Sequence, residues 1–137
     1  MGHRRIQTAG APTAIGPYSQ AIDGGPGDIV ACSGQVGLDP ASGDLVEGLE
    51  AQVRRAMANL GAVLEAAGLG YADVVKTTLF LTDIGDFGTV NAIYGESFSD
   101  PQPARSTVAV AALPKGARFE VEAIAVRPRQ ADAIGRG

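Results

Sequence analysis

The chain has 137 residues, of which 45% are hydrophobic and 19% charged, and this composition is typical of one globular domain rather than of a disordered chain. Its 15 acidic and 11 basic residues give a net charge of −4, which disfavours nucleic acid as a main partner because such binding depends on clustered Lys and Arg. No apolar run is long enough to span a membrane and no signal peptide is recognisable, so a cytoplasmic protein without a membrane partner is expected.

The first half of the sequence predicts three strands and a long helix. Short strands are expected over residues 6–8 and 18–23, and the Gly/Pro-rich turn that follows predicts a hairpin whose return strand covers 28–35. From Leu49 the apolar spacing becomes helical, and Gly68 stands where a helix C-cap glycine is common. A helix over 49–67 is therefore expected.

The second half predicts a helix between strands. A central strand is expected over 73–82, and Asp83 or Asp86 is expected to cap a second helix. A strand that carries Arg105 follows, then a turn at 114–116 and a last strand over 118–126.

This order of elements, β-β-β-α-β-α-β-β, predicts a single α+β domain over residues 1–128, with two helices packed on one face of a mixed sheet of about six strands. The other face of the sheet also needs a cover, and in so small a chain another copy of itself is the natural one, so a homo-oligomer is expected. Residues 129–137 are expected to form a flexible tail.

Arg105 is the most informative side chain, because it lies at the start of an otherwise apolar strand, two residues after Pro103. A guanidinium in such a place either pairs with a carboxylate of the fold or binds the anion of a ligand with its bidentate fork. A tight turn at Pro114 would make this strand and the last one a hairpin, with Arg105 and Glu120 roughly 13 Å apart along the sheet. We therefore expect no ion pair between them within one chain, and a site that uses both would span a subunit interface.

Two other polar positions depart from the pattern of their elements. Asn91 lies on the apolar stripe of the second helix, where a buried amide serves either as a structural tether or as a site residue. Glu120 and Glu122 share one face of the last strand, either as a solvated edge or with Glu120 as a general base that holds a water.

Three further positions carry weaker signals. Tyr18 follows Gly16–Pro17 and either packs, with its hydroxyl reaching water, or lines a site. Ser33 and Gly34 end a strand, where the glycine would let a ligand approach backbone N–H groups. Cys32 is expected to be a buried core thiol, and with one cysteine and one histidine neither a metal nor a cofactor is expected.

Seven segments carry a resemblance to a known family. They appear in order between about residue 6 and residue 127, at 14–21, 33–35, 74–78, 89–91 with Tyr94, 103–106, 112–115 and 120–125. Taken together, these segments resemble the RidA/YjgF family of small enamine/imine deaminases, also called the L-PSP endoribonuclease family. The resemblance implies a chorismate-mutase-like fold of the bacterial trimeric type, and a homotrimer whose ligand sites lie in the clefts between subunits.

The resemblance also implies roles for individual residues. Arg105 would bind the substrate carboxylate and Glu120 would position the attacking water, which makes these two the candidate catalytic residues. The residues implied to bind substrate are Tyr18, Ser33, Gly34, Asn91, Arg105 and Thr107. Thr107 stands where many relatives have Cys, so thiol chemistry at this position is not expected here.

The implied activity is that of a 2-iminobutanoate/2-iminopropanoate deaminase, which hydrolyses reactive imines to a 2-keto acid and ammonia without a metal or cofactor. Its ligands would be small imino acids and 2-keto acids. One alternative is a non-enzymatic trimer that binds small carboxylates or acts as a chaperone, which would need Arg105 but not Glu120. A second is an endoribonuclease, which the acidic charge and the missing catalytic histidine disfavour.

Overall fold

The computed structural model describes residues 3–129, so the tail expected over 129–137 lies almost wholly outside the described residues. Six strands and two α-helices follow one another in the predicted order. Their bounds are β1 Arg4–Ile6, β2 Ala21–Asp23, β3 Gly27–Val36, α1 Leu49–Ala66, β4 Val74–Leu81, α2 Phe87–Gly95, β5 Ala104–Ala109 and β6 Phe119–Pro128.

Local residues account for the end of α1 and for the turn that precedes α2. Gly68 adopts a φ of 77°, the left-handed conformation that glycine reaches without a Cβ clash, and α1 ends just before it. The Asp83 carboxylate accepts a hydrogen bond from the Gly85 N–H and caps the short 3₁₀ turn Ile84–Asp86 that leads into α2. Of the two predicted caps, Asp83 is therefore the one that forms, and Asp86 makes no side-chain capping bond.

The sheet contains a parallel pair at one edge. Strands β3, β6, β4 and β5 lie in that order, with β5 parallel to β4 and the other neighbours antiparallel. Strands β1 and β2 form a separate antiparallel pair, and a bridge between Ser19, just before β2, and Ala104 connects this part of the chain to β5. Six strands in a mixed arrangement, with the helices on one face, confirm the predicted fold class.

Two predicted hairpins are wrong. β2 pairs with β1 rather than with β3, and β3 pairs instead with β6. β5 and β6 are not neighbours either, because β4 lies between them. The helix α2 returns the chain to the same end of the sheet, which makes β5 parallel to β4. The chain then passes through the 3₁₀ turn Pro114–Gly116 to the far side of β4 instead of folding back as a hairpin.

One face of the sheet carries the core. Side chains alternate along each strand, and those of β4 and β6 that face the helices are almost completely buried. They are Thr77, Leu79, Leu81, Phe119, Val121 and Ala123. Cys32 is buried in the same core, as expected, and burial raises the pKa of its thiol.

The opposite face of the sheet is left open by residues 3–129. It presents large side chains beside the two carboxylates of β6, and Val108 and Ile124 are each 41% exposed there. Neither α-helix of the described chain is long and apolar enough to cross a membrane.

Candidate functional site

Arg105 lies near the start of edge strand β5, on the helix side of the sheet, and its guanidinium is surrounded by aromatic rings. Its Nη1 donates a hydrogen bond of 2.7 Å to Asn91 Oδ1. Its Cζ lies 5.2 Å from the ring centre of Tyr18, 5.3 Å from that of Tyr94 and 5.6 Å from that of Phe87. Such cation–π contacts hold a guanidinium without neutralising it.

The charge of Arg105 is not paired with a carboxylate among residues 3–129. The ion pairs of this range involve other arginines, which are Arg4, Arg5, Arg54, Arg118 and Arg129. Partial burial lowers the pKa of Arg105, and the neighbouring Tyr94 and Tyr18 oppose that shift. Since a guanidinium stays protonated at any physiological pH, the site holds a half-buried cation whose N–H donors, apart from the one bound to Asn91, have no hydrogen-bond partner among residues 3–129.

Helix α2 supplies three of the groups around this cation from one face. Phe87, Asn91 and Tyr94 are four and three residues apart, which places them on the same side of the helix. The Tyr94 hydroxyl forms a 2.8 Å hydrogen bond with Thr77 Oγ1, and both residues are fully buried. Burial raises the pKa of Tyr94 to about 12, so the ring remains a neutral wall of the site.

Tyr18 and Gly16 reach Arg105 from the loop between β1 and β2. A Cβ placed on Gly16 would lie 3.7 Å from Arg105 Nη2 and 3.6 Å from Asn91 Nδ2, so the loop backbone passes directly beside the guanidinium. The Tyr18 N–H donates to the Gly16 carbonyl at 2.7 Å, which turns the tyrosine ring toward Arg105.

A cavity of about 500 Å³ opens in front of Arg105, and its lining residues are Tyr18, Ile84, Phe87, Arg105 and Thr107. Thr107 lies two residues beyond Arg105 and so on the same face of β5. Its hydroxyl oxygen is buried and has no hydrogen-bond partner within the described chain. The cavity therefore combines a cation that no carboxylate of residues 3–129 pairs with and mostly apolar walls, a composition suited to a small carboxylate ligand.

A second cluster forms around Glu120 on β6. The pairing of β3 with β6 shifts between Cys32 and Gln35, so Ser33 and Gly34 form an irregularity in the ladder beside Glu120. A Cβ on Gly34 would lie 1.8 Å from Glu120 Oε2, so only glycine leaves room for the carboxylate in this position. Partial burial and then the nearby Glu122 carboxylate raise the pKa of Glu120.

These two clusters lie on opposite faces of the sheet. Arg105 pairs across the sheet with Thr77, whereas Glu120 pairs with Phe80, three residues further along β4. Because their partners on β4 are an odd number of residues apart, the side chains of Arg105 and Glu120 point to opposite faces of the sheet. The two residues are also about 10 Å apart across the strands, which is two strand spacings, and about 10 Å apart along them, which is three residues. As expected, the ion pairs of residues 3–129 include none between Arg105 and Glu120, although the predicted hairpin is not the reason.

The predicted site residues thus divide into two groups. Tyr18, Asn91, Arg105 and Thr107 lie together around one cavity, while Ser33, Gly34 and Glu120 lie together on the other face of the sheet. Sequence reasoning missed Phe87 and Tyr94 as part of the Arg105 environment, because both fit the apolar face of α2. Their spacing around Asn91 is the signal that would have revealed them.

Comparison with known proteins places most of the described chain in one family. The model of the family described as Endoribonuclease L-PSP matches residues 8–127. Protein DfrA of Myxococcus xanthus is 50% identical over 127 residues, which cover 92% of this chain and 97% of that protein. A mouse protein named 2-iminobutanoate/2-iminopropanoate deaminase is 53% identical over 123 residues, or 89% of this chain and 90% of the relative.

The fold matches those of solved structures. A crystal structure of Escherichia coli TdcF with bound serine is 42% identical, with a TM-score of 0.70, and the match covers 91% of this chain and 99% of TdcF. At this identity the likeness extends to sequence as well as fold.

Proposed function

The chain belongs to the endoribonuclease L-PSP family, also called RidA/YjgF, and on this basis we propose that it is an enzyme that hydrolyses 2-imino acids to 2-keto acids and ammonia. The observation that carries the proposal is Arg105, a half-buried guanidinium with no carboxylate partner among residues 3–129, at the wall of a cavity that fits a small carboxylate. Curated relatives that share about half of the sequence are named for this activity.

The guanidinium binds the carboxylate of the imino acid. Its Nη1 is held by Asn91 and its position is fixed by three rings, so its remaining N–H groups are oriented before the ligand arrives. Fixing the carboxylate also fixes the adjacent C=N carbon, which converts the encounter with water into an oriented step.

Glu120 supplies the base, from a second copy of the chain. Because Arg105 and Glu120 lie on opposite faces of one sheet, a site that uses both forms where the open face of one subunit meets the Arg105 edge of the next. A cyclic trimer, the assembly implied by the family resemblance, would create three such sites. Ser33 and Gly34 would then accompany Glu120 into the site of the neighbouring subunit.

The reaction needs no covalent intermediate. Glu120 accepts a proton from a water molecule as the water oxygen adds to the C=N carbon, and it passes this proton to the imine nitrogen, which gives an aminol. Glu120 then takes the proton of the aminol hydroxyl and delivers it to the amine. The carbonyl forms as the C–N bond breaks, ammonia leaves, and Glu120 is again a carboxylate. A raised pKa brings Glu120 closer to the working pH, where a base is most effective.

The test is an imine-hydrolysis assay. A PLP-dependent dehydratase acting on serine or threonine generates the imine in situ, and keto-acid release is timed with and without the protein. Acceleration that depends on Arg105 and Glu120 supports the proposal, and release at the uncatalysed rate over a wide range of protein concentration would refute it.

A further inference from the structure

The loop of residues 7–17 between β1 and β2, named here the N-terminal loop, borders the Arg105 site without being part of a helix or strand. Its last residues lie beside the guanidinium, since a Cβ on Gly16 would be within 4 Å of both Arg105 and Asn91. Ile15, the residue before, is 89% exposed. The position of this loop therefore affects the site, although little packing holds it there.

The first part of the loop, residues 8–12, is bound by the side chain of Gln20. Gln20 Oε1 accepts a hydrogen bond of 2.7 Å from the Thr8 N–H. Gln20 Nε2 donates to the carbonyl oxygens of Thr8, Ala11 and Pro12, at 3.2, 3.2 and 2.6 Å. A single amide thus binds the loop backbone at three separate residues.

Apolar packing contributes little to holding the N-terminal loop against the rest of the chain. A cavity of about 420 Å³ lies beneath the loop, with Arg5, Thr8, Thr13, Tyr18 and Gln20 in its wall. Tyr18 borders this cavity on one side and the Arg105 cavity on the other. The space under the loop means that its conformation depends on the hydrogen bonds of Gln20 more than on apolar contact.

The far end of the loop is anchored separately. The Ser19 N–H donates to the Pro103 carbonyl at 3.1 Å, two residues before Arg105, and the Tyr18 hydroxyl accepts a weak bond of 3.5 Å from the Ile15 N–H. Residues 13–17 therefore lie between the segment that Gln20 binds and the start of β5, and in this arrangement Gly16 lies against Arg105.

We propose that Gln20 is a positioning residue, which holds the N-terminal loop in the conformation that places Tyr18 and the Gly16 backbone against Arg105. Its own side chain is not among those that line the Arg105 cavity. Loss of the amide leaves a loop tethered only at its ends, which samples many conformations, and the ligand must then order it on binding. The binding-competent fraction falls and the apparent affinity falls with it.

This inference takes only the ligand class, a small 2-oxo or 2-imino carboxylate, from the proposed function. The test compares Gln20→Ala and Gln20→Glu with the wild type, in imine hydrolysis and in calorimetric binding of 2-oxobutanoate, the keto-acid product. At pH 7.5 the Glu carboxylate would face three carbonyl oxygens, so Gln20→Glu should be at least as impaired as Gln20→Ala. Gln7→Ala is the matched control, because it removes an amide from the same loop that makes no hydrogen bond within residues 3–129.

We expect Gln20→Ala to raise KM and the Kd of 2-oxobutanoate about tenfold, with kcat within about twofold of wild type and an unchanged thermal midpoint. Gln7→Ala should match the wild type in all four quantities. An unchanged KM in Gln20→Ala, an equal effect of Gln7→Ala, or failure of both Gln20 variants to fold would overturn the inference. Binding of 2-oxobutanoate without imine hydrolysis would overturn the proposed function alone, whereas no binding by the wild type would overturn both.

Discussion

Arg105 and Glu120 project from opposite faces of the same four-stranded sheet, because Arg105 is in register with Thr77 of β4 and Glu120 with Phe80. A single chain therefore places the Arg105 guanidinium and the candidate base on opposite sides of its sheet, and in the proposed assembly each would face a different neighbour. The proposed chemistry therefore requires at least two copies of the chain, because one copy cannot bring Arg105 and Glu120 into the same site.

Arg105→Ala should lower kcat/KM for imine hydrolysis by about 10²-fold or more, because the charge-assisted hydrogen bonds to the substrate carboxylate are lost. Steady-state release of the keto acid measures the effect. Arg54→Ala is the control, since Arg54 is exposed on α1 and paired with Glu50 and Glu96, and its activity should equal that of the wild type. Arg105→Ala with full activity would exclude Arg105 from the site.

Gly34→Ala should reduce kcat about 10²-fold with little loss of stability. The new methyl group would lie 1.8 Å from Glu120 Oε2, and the flexible glutamate end can move away while the fold stays intact. Gly88→Ala is the matched control, because open space surrounds this helical glycine and alanine there should stabilise the fold by about 0.5–1 kcal/mol. Equal activities of the two variants would show that the position of the carboxylate is unimportant.

The activity should fall as the pH drops through the pKa of Glu120, because only the deprotonated carboxylate accepts the proton of water. Burial and, to a smaller extent, Glu122 raise that pKa, so the acid limb should lie above the ordinary range of a glutamate. Glu122→Gln removes the charge repulsion and should move the acid limb of kcat/KM to lower pH. A limb that stays in place or moves upward would contradict the assignment of Glu120 as the titrating base.

Thr77→Val should lower the free energy of unfolding by about 1–3 kcal/mol, because it leaves the buried Tyr94 hydroxyl without its 2.8 Å partner. Urea denaturation measures the change. The exposed Thr89 on α2 provides the control, and Thr89→Val should change stability by less than about 0.5 kcal/mol. A loss as small as that of the control would mean that the Thr77–Tyr94 bond adds no net stability.

The sequence predicted the elements better than their pairing. The helical spacing of apolar residues in α1 and the glycine after its end are local signals, because the residues involved lie close together in the sequence. Strand order is set by distant contacts, and the apparent hairpin signal at Pro114 gave the wrong neighbour for β5 because nothing local shows that β4 intervenes.

The candidate site was predictable in part for the same reason. Arg105 stands out as a charge in an apolar strand, and Asn91 as an amide on an apolar stripe. Phe87 and Tyr94 look like core residues in sequence, and only the folded structure shows that their rings lie against the guanidinium. The attachment of the N-terminal loop depends on hydrogen bonds from Gln20 to three backbone carbonyls, and no local sequence pattern indicates these bonds.

Subunit complementation tests the central claim, a site shared between copies, most directly. Arg105→Ala and Glu120→Gln would each be inactive as pure assemblies, but a co-refolded equal mixture should regain activity. Random mixing would combine an intact Arg105 with an intact Glu120 at about one quarter of the sites, so roughly a quarter of wild-type activity is predicted. No recovered activity in a mixture that native mass spectrometry shows to contain hybrid oligomers would contradict the shared site.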